Sequence, residues 1–194
     1  MHILIPFLVT VIFMVTFLVA ERRLRQDSSS MSLKETEHDK GTTRFVGAAL
    51  GTCWFVLFLS LPANYYGIGS LWPSLIFNII GTAIMFLGLS LRLIAARTLG
   101  KFYSRTLRTK PNQKVVSEGT YRFIRHPGYL GMIVLFAGAA LTVANFIVLV
   151  VVAAVIVTAY VRRIAVEENM LITTLGKEYV EYMGRTKKLL PFIY

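Results

Sequence analysis

The chain has 194 residues, 55% of them hydrophobic, a mean hydropathy of +0.61 and a formal charge of +11. That composition is too apolar for an ordinary soluble domain and fits a small multi-pass membrane protein. The single cysteine, Cys53, excludes an internal disulfide or a cysteine zinc cluster.

Four charge-free blocks follow in chain order. Ile3–Ala20 is the first, and it has neither the basic start nor the small-residue cleavage site of a signal peptide, so it reads as a retained anchor. Residues 26–40, QDSSSMSLKETEHDK, come next as a polar loop with no chemistry assigned to it. Phe45–Leu61 is the second block, and its Gly47 and Gly51 form a small-xxx-small pair suited to close packing within the bundle or, alternatively, to a dimer contact. Leu71–Leu91 is the third. Tyr129–Val161, with 33 residues, is the fourth. As one helix it would run about 50 Å at roughly 1.5 Å per residue, against a hydrocarbon core about 30 Å thick. Its only polar side chains near the middle are Thr142 and Asn145, so the block breaks there into a helical hairpin.

The expected fold is therefore an all-α integral membrane protein, one domain over 1–194. It has five transmembrane helices at about 3–20, 45–61, 71–91, 129–144 and 145–161. All 21 lysines and arginines fall in the segments 21–44, 92–128 and 162–194. Five spans put these three segments on one face, which the positive-inside rule makes cytoplasmic, leaving the N-terminus outside. Basic residues so distributed suit anionic headgroups rather than nucleic acid. The elements 98–128 and 162–194 lie on that face.

Two polar clusters bracket the hairpin. Glu118 to Gly131 reads EGTYRFIRHPGYLG. Pro127 restricts His126 to extended geometry and suits a helix's first turn, so a helix starts here at the membrane surface. Its unpaired N–H groups favour anions. Beyond Val161 the fifth helix continues; Arg163 and Glu167 share a face with Tyr160 and Met170, whereas Glu168 points elsewhere. His126, Tyr129, Arg163 and Glu167 thus meet at one mouth. With no G-x-G-x-x-G, P-loop or G-x-S-x-G motif, nucleotide folds and serine hydrolases are unsupported. His2, His38 and His126 do not make a metal site.

At these residues the sequence resembles the isoprenylcysteine carboxyl methyltransferase family, in the form of a short prokaryotic member. The resemblance rests on Gly119/Tyr121, Arg125-His126-Pro127-Gly128-Tyr129-Leu130-Gly131, Arg163/Glu167-Glu168/Leu171, Leu175-Gly176/Tyr179/Tyr182 and Pro191, in order and spacing. It implies S-adenosylmethionine as methyl donor, held by Gln113, Lys114, Val115, Val116, Tyr121, His126, Pro127, Gly128, Tyr129 and Glu167. It implies Arg163 at the substrate carboxylate, no metal, and a prenylated cysteine entering sideways from the bilayer. Phospholipid N-methyltransferases share much of the pattern, and membrane sterol reductases a looser version. Both readings stay open, as does a non-catalytic scaffold.

Overall fold

The computed structural model describes residues 4–24, 39–72, 74–104, 107 and 113–190. Among the described residues six α-helices form: α1 Leu4–Leu24, α2 Thr42–Tyr65, α3 Ser74–Leu99, α4 Pro127–Thr142, α5 Phe146–Leu175 and α6 Lys177–Arg185. Short 3-10 helices occupy Gly100–Phe102 and Gly119–Arg122. No strand occurs among the described residues, which carry only two isolated bridges, one of them Ile124 with Lys187.

Helices α1, α2, α3 and α5 are long and apolar enough to cross a membrane, while α4 has 16 residues and falls short of about 20. Phe55, Phe86 and Leu87 on the outer faces are 60–63% exposed. Large apolar side chains standing outward in this number suit lipid and would be an aggregation hazard in water. The helices run on beyond the expected first three spans. α1 runs past Ala20 through Glu21, and α3 past Leu91 through Arg92, because those two charges pair with each other at 2.6 Å and no longer need water.

The hairpin breaks where its polar residues fall. α4 ends at Thr142, and Asn145 caps α5, its side-chain oxygen accepting from the Val148 N–H at 3.1 Å. The Asn145 amide donates to Asn64 Oδ1 at 2.7 Å and to the Ile68 carbonyl at 2.8 Å. Asn64 and Asn78 donate to the Val143 and Thr142 carbonyls. The backbone groups freed at the turn are thereby satisfied within the protein, as a low-dielectric environment demands.

α4 sits at the centre of the bundle and touches each of the other four apolar helices. Its tightest partner is α3, through glycines seven apart on both: Gly81 and Gly88 on α3, Gly131 and Gly138 on α4. A Cβ on Gly138 would lie 2.5 Å from the Met85 nitrogen, and one on Gly88 2.4 Å from the Leu135 nitrogen. Only hydrogen at these positions lets the backbones approach so closely. The Gly47 and Gly51 pair was the expected packing site, but a Cβ at either position meets nothing within 4 Å. That expectation is corrected: the close contact lies on α3–α4. Met132, Leu135 and Phe136 of α4 complete the core with Leu57, Met85 and Ile156.

Candidate active site

The site forms where α4 begins. His126 precedes Pro127, the first residue of α4, and its ring stacks on Tyr129, one helical turn on, with centroids 5.5 Å apart and planes 8° from parallel. Tyr129 in turn stacks on Tyr160 of α5 at 4.9 Å. The chain after α6 folds back over this start. The Arg125 and His126 N–H groups donate to the Lys187 and Lys188 carbonyls at 2.8 and 3.1 Å. Gly176, at φ +58°, separates α5 from α6 with a backbone conformation glycine adopts cheaply. It turns Tyr179 and Tyr182 inward, where the Tyr182 hydroxyl donates to the Tyr121 carbonyl at 2.7 Å. Thus the outer ends of the sequence pattern, Gly119/Tyr121 and Tyr179/Tyr182, are one packed unit. Pro191 lies outside the described residues.

A cavity of about 630 Å³ opens against this unit. Gln113, Lys114, Val115, Val116, Tyr121, His126, Gly128, Tyr129, Arg163 and Glu167 all line it. Of the expected site residues only Pro127 does not; it is buried and starts the helix. From the polar end the same cavity runs between α1 and α2, past Phe17, Leu50 and Trp54. No group of three or more His, Cys, Asp or Glu side chains placed to hold a metal occurs among the described residues.

The two adjacent glutamates behave differently. Glu167 faces the cavity, and among the described residues its buried Oε2 has no hydrogen-bond partner; His126 Nδ1 lies 3.8 Å from it. A buried carboxylate oxygen left unmatched costs about 1–3 kcal/mol or more, so a donor or a positive charge brought to this atom would be stabilised. Glu168 does point off this face, but not to solvent. It accepts from Arg125 Nε at 2.8 Å, lies 3.3 Å from His126 Nε2 and 3.5 Å from Lys188 Nζ, and is itself buried. Arg125 also donates to the Met183 and Thr186 carbonyls. Glu168 therefore fastens the RHP segment to α5 and to the returning chain.

Arg163 is buried as well. Its Nη1 donates to Asp39 Oδ1 at 2.6 Å, Thr42 Oγ1 at 2.7 Å and Thr43 Oγ1 at 2.9 Å, while Nε faces the Tyr129 hydroxyl at 3.4 Å. Burial alone would raise the Asp39 pKa, but hydrogen bonds from Thr42 and Thr43 and the Arg163 charge outweigh it and hold it below the ordinary value. Burial pushes the Tyr182 phenol up to about 12, and burial reinforced by the Glu167 and Glu168 charges raises Tyr179 well above its usual range. Both phenols are neutral at pH 7 and supply no base.

Residue-by-residue reading of the sequence missed three participants. Glu21, Arg92 and Tyr103 also line the cavity. Arg92 Nη2 donates to Glu21 at 2.6 Å and to the Tyr103 hydroxyl at 2.5 Å, and Tyr103 donates to Glu21. The signal available was that Glu21 and Arg92 each directly follow an apolar block and carry opposite charge. Asp39, at the end of the polar loop, gave no such signal.

A model of the isoprenylcysteine carboxyl methyltransferase family matches residues 79–173. Protein-S-isoprenylcysteine O-methyltransferase B of Arabidopsis thaliana is 32% identical over 115 residues, 58% of this chain and 58% of the plant protein. The Saccharomyces cerevisiae protein-S-isoprenylcysteine O-methyltransferase is 34% identical over 118 residues, 60% of this chain and 49% of the yeast protein. The chain thus spans about half to three fifths of the length of these relatives. In fold it is similar to a solved eukaryotic intramembrane Ras methyltransferase of the same description, with a TM-score of 0.70 at 22% identity, over 95% of this chain and 64% of that one.

Proposed function

The chain belongs to the isoprenylcysteine carboxyl methyltransferase family by residues 79–173, and from that premise we propose that it transfers a methyl group from S-adenosylmethionine to the C-terminal carboxylate of a prenylated cysteine. The observation that carries this reading is the cavity itself. One continuous space joins a polar end, at Glu167, His126 and Arg163, to an apolar end at Phe17, Leu50 and Trp54. That shape suits an amphiphile with a charged head and a lipid tail, meeting a charged partner at the polar end.

S-adenosylmethionine supplies a methyl group already activated on a sulfonium. The residues present fit it: the unpaired, buried Glu167 Oε2 can accept from its amino or ribose groups and favours positive charge nearby. The methyl-accepting carboxylate, with a reference pKa of about 4, is ionised at pH 7 and needs no base. The task left to the protein is alignment and exclusion of water. Arg163 orients the carboxylate by charge-assisted hydrogen bonds, and the stacked His126, Tyr129 and Tyr160 wall the reacting centre.

The membrane arrangement belongs to the same reading. The α4–α5 hairpin enters and returns through the bilayer, giving five passes with the basic ends of the helices in the cytoplasm. Cysteines placed at Trp72, which is 89% exposed, and at Lys177 are then labelled from opposite sides of sealed vesicles; labelling of both from one side refutes the topology. For the activity, purified protein is given radiolabelled S-adenosylmethionine with N-acetyl-S-farnesylcysteine or with phosphatidylethanolamine. Base-labile methyl ester on the first substrate is expected, and transfer to the phospholipid alone overturns the carboxylate reading.

A further inference from the structure

Asp39 belongs to the polar loop that the sequence leaves without a role, yet it is completely buried. Its Oδ1 accepts from Arg163 Nη1 and from Thr42 Oγ1, both at 2.6 Å, and its Oδ2 accepts from the Thr43 N–H at 3.3 Å. Arg163 and Asp39 side chains are 4% and 0% exposed. Thr42 and Thr43, the first two residues of α2, complete the grip on Nη1 with their hydroxyls. The start of α2 therefore clamps one edge of the guanidinium, while Nε, on the other edge, is turned to Tyr129, which lines the cavity.

We propose that Asp39 is a positioning residue for Arg163: by fixing Nη1 it sets the plane in which the guanidinium meets the substrate carboxylate, and so makes recognition of an acid over a neutral head group depend on the start of α2. The inference rests on the carboxylate substrate proposed above. Its physical basis is twofold. An arginine side chain carries substantial rotamer entropy, and holding its planar fork in advance spares that loss when a bidentate partner arrives. A guanidinium buried without a counter-ion is also heavily penalised, so it would swing toward water whenever the cavity lacked an acid. Asp39 keeps it inside between turnovers. Because Asp39 also offsets the arginine's charge, discrimination comes from geometry rather than from net charge.

Asp39→Ala and Asp39→Glu are compared with the wild type in the full chain, in nanodiscs. The measurements are kcat/KM for N-acetyl-S-farnesylcysteine, the inhibition constant of its carboxamide, and the dissociation constant of S-adenosylhomocysteine. Asp39→Ala is expected to lower kcat/KM for the acid at least tenfold, leaving the carboxamide and S-adenosylhomocysteine constants within twofold. Asp39→Glu keeps the charge pair but moves it by one methylene, so it lowers kcat/KM for the acid at least threefold. Should Asp39→Ala show no cooperative thermal unfolding transition, and so not fold, Asp39→Glu decides alone; a folded Asp39→Ala that no longer binds S-adenosylhomocysteine overturns the inference. Unchanged kcat/KM, a parallel loss for acid and carboxamide, or tighter use of the acid overturns the inference; the last would make Asp39 a competitor for Arg163. A wild type that does not methylate the acid refutes the carboxylate substrate itself, and takes this inference with it.

Discussion

Glu167 and Glu168 are neighbours whose replacement by glutamine should separate binding from stability. At Glu167 the Oε2 atom has no hydrogen bond to lose, so Glu167→Gln costs the fold less than Glu168→Gln while removing a charge from the cavity. At Glu168 the change discharges a buried carboxylate held by Arg125 at 2.8 Å and Lys188 at 3.5 Å. Removing a partner from a buried ion pair costs about 3–5 kcal/mol, and hydrogen bonds to charged groups are worth about 1.5–3 kcal/mol. Glutamine retains one carbonyl oxygen for Arg125, so the loss falls below the full ion-pair figure, at about 2–3 kcal/mol. For a chain of this size that corresponds to a fall in Tm of about 4–12 °C. Thermal unfolding in detergent reads the stability, and calorimetry reads the ligands. Glu167→Gln is expected to weaken S-adenosylmethionine at least tenfold, about 1.4 kcal/mol, and to weaken the uncharged-sulfur product less. Glu168→Gln should lower Tm and leave product affinity nearly unchanged in the folded fraction. If Glu167→Gln lowers Tm as much as Glu168→Gln, or if Glu168→Gln alone weakens the ligand, the two roles are wrongly assigned.

Arg163→Lys keeps the charge but loses the planar fork. A drop of roughly tenfold or more in kcat/KM with little change in S-adenosylhomocysteine affinity is expected in steady-state assays, and full activity would remove Arg163 from substrate recognition. Gly138→Ala places a methyl 2.5 Å from the Met85 nitrogen and 2.8 Å from the Gly81 carbonyl oxygen, forcing α3 and α4 apart; a loss of about 1–3 kcal/mol follows from overpacking. Gly47→Ala meets nothing and should be neutral or raise Tm slightly, since alanine favours helix by about 1 kcal/mol. Asp39 titrates below its ordinary 3.8 in the folded protein, so its contribution to stability is complete above that pH and is lost as pH falls through the folded value. Thermal stability of the wild type should therefore fall more steeply below about pH 4 than that of Asp39→Asn.

What the sequence determined by itself are the features set by neighbours along the chain. Charge-free runs longer than a hydrocarbon core can hold only as a hairpin force a break, and Thr142 and Asn145 are the only polar side chains near the middle to make it. Pro127 has no N–H to satisfy, so the helix starts there, and His126 is held just outside it. Four residues on one helix share a face, which put Arg163 and Glu167 at one cavity. Partners brought together by packing were not legible. Asp39 and Arg163 are separated by 124 residues, and Glu21 and Arg92 by 71; a charge in a sequence shows that a counter-ion is needed but not which. The glycines of α3 and α4 recur every seven residues, a spacing that has meaning only once two helices face each other. Glu168 was seen to leave the Glu167 face, yet whether that direction held water or Arg125 depended on the chain returning after α6. Burial decides these cases, because a charge or a missing side chain is neutral at the surface and decisive inside, and burial is a property of the folded whole.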